Sequence, residues 1–169
     1  MKTIKNILLL LGVLALSLPA ASQPRTKLGG NPAGVPKVEK HQARKVLHRT
    51  AIVVFHAHKL VKQNKNYTGD LARAIAHQRF AKKLYMRGKY HRAIHQSRLA
   101  RLYALKAIKA NKGTEIEECK MTPEEQELMK DAPAEADLIS EMAKDNPGAK
   151  FKDEDSLISE PDIDLNADE

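Results

Sequence analysis

Between Lys40 and Thr114 the sequence has a single carboxylate, Asp70. Acid–base chemistry on a pair of Asp or Glu, and a carboxylate-rich cation site, are therefore excluded from this stretch. Cysteine is almost missing as well. Cys119 stands alone, so no internal disulfide exists and stability has to come from packing. It reads as a spare thiol in a loose segment, blunted by Glu117 and Glu118. Tryptophan is absent and only three Phe and four Tyr occur, which leaves few rings to stack on bases and argues against a nucleic-acid partner. No proline lies from Lys37 to Asn111, so nothing in that stretch forbids long helices.

What is present is charge, unevenly spread. Residues 23–113 hold 22 Lys or Arg against Glu39 and Asp70, a balance of +20, whereas residues 121–169 hold 16 Asp or Glu against four Lys, a balance of −12. That pattern is a basic module joined to an acidic tail. At the N-terminus, Lys2 and Lys5 precede an apolar run from Ile7 to Leu18, with small residues at Ala20 and Ser22. This is the layout of a bacterial-type signal peptide over residues 1–22, and it makes the expected product exported, periplasmic or secreted. The run is short of the roughly 20 apolar residues of a membrane span, and no span is expected in the mature chain. Residues 23–36, with three Pro and three Gly, read as a flexible leader.

Helical periodicity fills residues 37–113. Val46, Thr50, Val53, Ala57 and Leu60 form one stripe, widened by Ala43, Leu47, Val54 and Val61, and predict a helix from about Val38 to Asn64. Ile52 and Phe55 lie off this stripe; they are expected to join a wider core because the first helix touches both others. After the turn NKNYTGD, with Asp70 placed to cap, a second helix covers about Leu71 to Arg87 and Gly88 ends it. A third helix runs from Lys89 to Asn111 along the seam Ala93, Ser97, Ala100, Ala104 and Ala107, with Gly113 as a left-handed cap. The expected fold class is all-α: a small three-helix bundle, a long helix plus a hairpin, followed by a largely disordered acidic tail over residues 114–169. Within the tail, Thr122-Pro123-Glu124-Glu125 resembles a capping box and Ala134 to Lys144 suits a short helix. The string LISE occurs at 138–141 and at 157–160, and each copy looks like a short docking element.

The hairpin resembles one tetratricopeptide repeat. Phe80, Ala81 and Leu84 precede Gly88-Lys89-Tyr90, and Ala93 and Ala100 follow at that family's steps, over residues 77–107. The resemblance implies protein–protein binding. His77, Ser97 and Leu105 depart from the pattern, and helix one holds no second copy.

Residues 87–113 carry eight Lys or Arg and two His with no acid among them. On a helical wheel His91 and His95 fall opposite the alanine seam, beside Arg98, Leu102 and Lys109. One face of this helix packs; the other is a cationic stripe. Arg92, Arg98, Lys106, Lys109 and Lys112 are the candidate anion-binding residues. The expected function is non-enzymatic: the module binds an acidic protein or an anionic envelope polymer, and its own tail folds back transiently as a competitor. No catalytic residues and no cofactor are assigned, since Ser97 belongs to the seam and no glycine-rich phosphate loop follows a strand. The alternative is a metal-binding or metal-buffering protein that uses His91 and His95, one helical turn apart.

Overall fold

The computed structural model describes residues 40–147 and 151–159. The segments expected to be a signal peptide and a leader lie outside the described residues. Within them the chain is all-α, with no strand. Three long helices come first: α1 (Lys40–Asn64), α2 (Asp70–Met86) and α3 (Tyr90–Ala110). A 3-10 turn at Glu117–Cys119 leads to the short helices α4 (Pro123–Glu127), α5 (Glu135–Asp145) and α6 (Glu154–Ile158).

The three long helices pack on one another, and the stripes read from the sequence are the faces they bury. Val46, Val53, Val54, Ala57 and Val61 of α1 are at most 5% exposed. On α3 the small seam Ala93, Ser97, Ala100, Ala104 and Ala107 is sealed against its neighbours. Alanine there lets helix axes approach closely, and α2 supplies the volume with Leu71, Ile75, Phe80 and Leu84. Phe80, Ala81, Leu84, Ala93 and Ala100 of the repeat-like motif are all buried, and Tyr90 is half-buried against Tyr85 with ring centroids 5.6 Å apart.

The helix ends show how the chain turns. Gly88 takes φ +71, its N–H bonds the Tyr85 carbonyl, and the Lys89 N–H reaches back to Leu84 at 2.9 Å, so α2 closes in a Schellman motif. α3 closes the same way with the roles shifted. Lys112, not Gly113, occupies the left-handed position at φ +53, and the Gly113 N–H bonds Ile108 O at 2.9 Å. Gly113 is favoured by space instead: a Cβ there would press on the end of the Leu60 side chain, which would have to move.

Asp70 does not cap α2. The cap position is Gly69, which has no side chain; Thr68 Oγ1 accepts from the Asp70 N–H at 3.3 Å, and the next two N–H groups find no side-chain acceptor in their own turn. Glu154 of α6 supplies one from afar, its Oε1 accepting from the N–H of Leu71 at 2.7 Å and of Ala72 at 3.3 Å. A carboxylate at this end also meets the positive pole of the helix.

This is the main departure from the sequence reading. Residues 114–147 and 151–159 do not hang free as a disordered tail; they cover the long helices. Leu138 and both apolar residues of the second LISE, Leu157 and Ile158, join the core cluster of α1, α2 and α3, while Leu128 and Met142 close a second cluster around Leu47 and Phe80. Cys119 is likewise buried in the first cluster, not loose, and burial is the main cause of its raised thiol pKa. In an otherwise polar segment, one apolar residue per turn is enough to hold it when the surface below is apolar and oppositely charged.

Ile52 and Phe55 go the other way. They remain 36% and 49% exposed, because α2 and α3 flank the opposite side of α1.

Candidate functional site

The cationic stripe of α3 meets carboxylates from the segment that follows it. Arg101, 4% exposed, is the centre. Its Nη1 and Nη2 donate to the two carboxylate oxygens of Glu125 at 2.9 and 2.8 Å, and Nη2 also donates to Thr50 Oγ1 at 3.1 Å. Glu125 is at the same time the third residue of the Thr122 capping box, accepting from the Thr122 N–H at 3.0 Å. Burial raises its pKa, but the hydrogen bonds and charge of Arg101, joined by the Thr122 N–H and the nearby Arg49, together outweigh that and hold it below the usual carboxylate range.

Around this centre lie looser contacts. Arg92 donates to Glu141, and to Asp145 at 2.8 Å, which holds the Asp145 carboxyl down. Tyr103 donates to Glu135 at 2.6 Å, and burial together with that bond pushes its pKa up to about 12. The Lys106 ammonium stands 4.8 Å over the Tyr103 ring and 4.0 Å from Glu135. Lys109 pairs with Glu115 at 3.3 Å on an exposed surface. Arg98 and Lys112 are exposed and form no ion pair among the described residues. Of the five candidate anion-binding residues, Arg92, Lys106 and Lys109 thus face the protein's own acids, and two remain open.

Buried amides extend the seam. Gln96 Nε2 donates to Leu138 O at 2.9 Å and to Glu141 at 2.6 Å, while its Oε1 lies 2.8 Å from His77 Nδ1. On the other side Ser97 donates to Gln78, which donates to the Leu47 carbonyl at 2.8 Å. These bonds tie α1, α2, α3 and α5 into one register.

His91 and His95 do adjoin, ring centroids 4.2 Å apart and edge to face. His95 is not solvated as its position on the wheel implied. It is 3% exposed, because the chain from Leu128 onward lies over it. Burial first, and then the neighbouring His91, lower its pKa to about 4, so it is neutral at pH 7. No third Cys, Asp, Glu or His joins the pair among the described residues. Beside His95 a half-open cavity of about 260 Å³ separates α3 from the α4–α5 segment, lined by Leu99, Leu102, Met129 and Leu138.

Sequence reasoning missed Arg101, Glu125, Gln96 and Glu154 as the residues that join the two halves. One signal was there: Arg101 is four residues beyond Ser97 and borders the alanine seam, a place where a cation needs a partner.

A second charged face is left uncovered among the described residues. α1 contains no Asp or Glu, and outward it shows Lys45, His48, Ile52, Phe55, Lys59 and Lys62. The Lys59 ammonium lies 4.6 Å over the Phe55 ring.

No family model, no curated protein and no solved structure matches this chain. Among the described residues no helix is long and apolar enough to cross a membrane.

Proposed function

We propose that this chain is an exported, non-enzymatic interaction module: a basic three-helix unit that binds an acidic macromolecular partner, with its own acidic segment as a built-in competitor. The observation that supports the reading is the seating of Glu135, Glu141 and Asp145 on Arg92, Tyr103 and Lys106. Those residues present a polyanion-like row to a cationic helix. Their contacts are exposed or half-exposed, each worth ~0–1 kcal/mol, so a denser anion competes for them. The Arg101–Glu125 pair is different. It is buried and belongs to the folded frame, so it stays closed while the outer row exchanges. Export rests on the N-terminal segment, whose charge and apolar run are those of a signal peptide.

The test replaces the outer row and keeps the frame. Glu135→Gln, Glu141→Gln and Asp145→Asn together should strengthen heparin binding at low salt, and the gain should fade at high ionic strength. Glu124→Gln, Asp131→Asn and Asp137→Asn remove the same charge from exposed sites that contact no α3 cation. If both triple variants gain equally, net charge explains the binding and the competitor role is wrong. If neither variant nor the native chain binds a polyanion, the partner class is wrong.

A further inference from the structure

We propose that the outer face of α1 is a docking surface for an acidic helical peptide bearing a pair of apolar residues. The inference rests on the reading above and gives it a surface and a kind of partner. Lys45, His48, Ile52, Phe55, Lys59 and Lys62 succeed one another at steps of three, four, three, four and three. That alternation is the spacing at which one helix lays a continuous seam against another. At a rise of 1.5 Å per residue the line runs about 25 Å, the length of a helix of some 17 residues.

The line has an order. Its centre is apolar and open, with Ile52 36% and Phe55 49% exposed. Its ends are cationic, and α1 offers no carboxylate of its own to neutralise them. A partner that fits brings two apolar side chains about one turn apart and acids to either side. The protein already uses such an element. On α5, Leu138 and Met142 are buried one turn apart while Glu141 and Asp145, also one turn apart, hold Arg92. α3 and its neighbours accept that helix; α1 repeats the complementary recipe with nothing described on it.

An anionic bilayer fits less well. Helices that lie in a membrane interface carry an apolar face along their whole length, whereas here the open apolar residues are confined to a single turn.

The probe is a free peptide with the sequence of residues 134–147, AEADLISEMAKDNP, titrated into the full-length chain. The intramolecular copy holds α3 at an effective concentration of about millimolar. Added peptide at tens of micromolar therefore reports on the face still open. Ile52→Ala with Phe55→Ala should weaken peptide binding tenfold or more, Lys59→Glu should weaken it as well, and Lys89→Ala should leave it unchanged. Equal binding by the Ile52/Phe55 variant overturns the proposal. So does Ile52- and Phe55-dependent capture by phosphatidylglycerol vesicles with no binding of the peptide. Loss of the peptide result, with the heparin behaviour of the outer-row variants intact, would remove this inference and leave the competitor reading standing.

Discussion

Arg101 of α3 and Glu125 of α4 form a two-pronged buried pair, both carboxylate oxygens taken at 2.8 to 2.9 Å, and Thr50 of α1 completes the guanidinium's contacts. Three elements meet at two side chains. Removing a charge pair from water is costly, and what makes this one tenable is that the remaining lone pairs and protons are also used: Thr122 N–H on Glu125, Thr50 and the Val46 carbonyl on Arg101.

Glu125→Ala should therefore lower unfolding stability by about 3 kcal/mol or more, because it strands a buried cation and opens the α4 capping box together. Chemical denaturation measures it. A loss below about 1 kcal/mol would mean that water reaches Arg101 and replaces the carboxylate.

Acid should loosen the molecule in two stages. His95 has a folded pKa of about 4 against an ordinary 6.5, so the unfolded chain binds the extra proton between those values. Its contribution is complete above pH 6.5 and is lost as the pH falls toward 4, on the order of 3 kcal/mol. Glu125, whose folded pKa is lowered, contributes above its ordinary value of 4.5 and loses that contribution below it. A melting-temperature profile from pH 7 to 4 should fall in the native chain and flatten in His95→Phe. An unchanged slope in that variant would place the acid sensitivity elsewhere.

Two apolar truncations should separate cleanly. Leu84→Ala, at a fully buried site, should cost about 2 to 5 kcal/mol, whereas Phe55→Ala, half in solvent, should cost less than about 0.5 kcal/mol. Parallel urea titrations test this, and a large Phe55 effect would show that the face is covered in the isolated protein.

At the end of α3, Lys112→Gly should raise stability by roughly 1 kcal/mol, since a left-handed residue loses its steric penalty. Gly113→Ala should lower it despite an ordinary backbone, because the added methyl meets Leu60. Opposite signs at adjacent positions are the readout; the same sign at both would refute the assignment of the two roles.

The long helices were legible to within two residues at each described end because their apolar spacing is regular and no proline interrupts it. The short helices at Thr122 and Ala134 were legible too, the first from its capping box. Their destination was not. Composition says that an acidic segment and a basic module attract, but diffuse charge carries no register. Register came from Leu138, Met142, Leu157 and Gln96, whose partners are more than 40 residues away in sequence or on another helix's face. His95 illustrates the limit: its wheel angle was read correctly, and its burial was decided by a segment that periodicity in α3 cannot reveal. Ile52 and Phe55 failed for the converse reason: α1 was expected to touch both other helices over a wider face, and they flank only its opposite side.

Glu154, which holds the first amides of α2, sits more than 80 residues downstream of them. A helix usually carries its own start within a turn, so that it can begin as soon as it is made. Here Thr68 supplies only the first amide of α2, and the acceptor for the next two comes from near the far end of the described chain. In a polypeptide delivered N-terminus first, Glu154 is made after α3, α4 and α5, so until then the Leu71 and Ala72 amides have no carboxylate to meet. Any event that clips residues 151–159 therefore removes the acceptor of the Leu71 and Ala72 amides and leaves an element made much earlier unfinished.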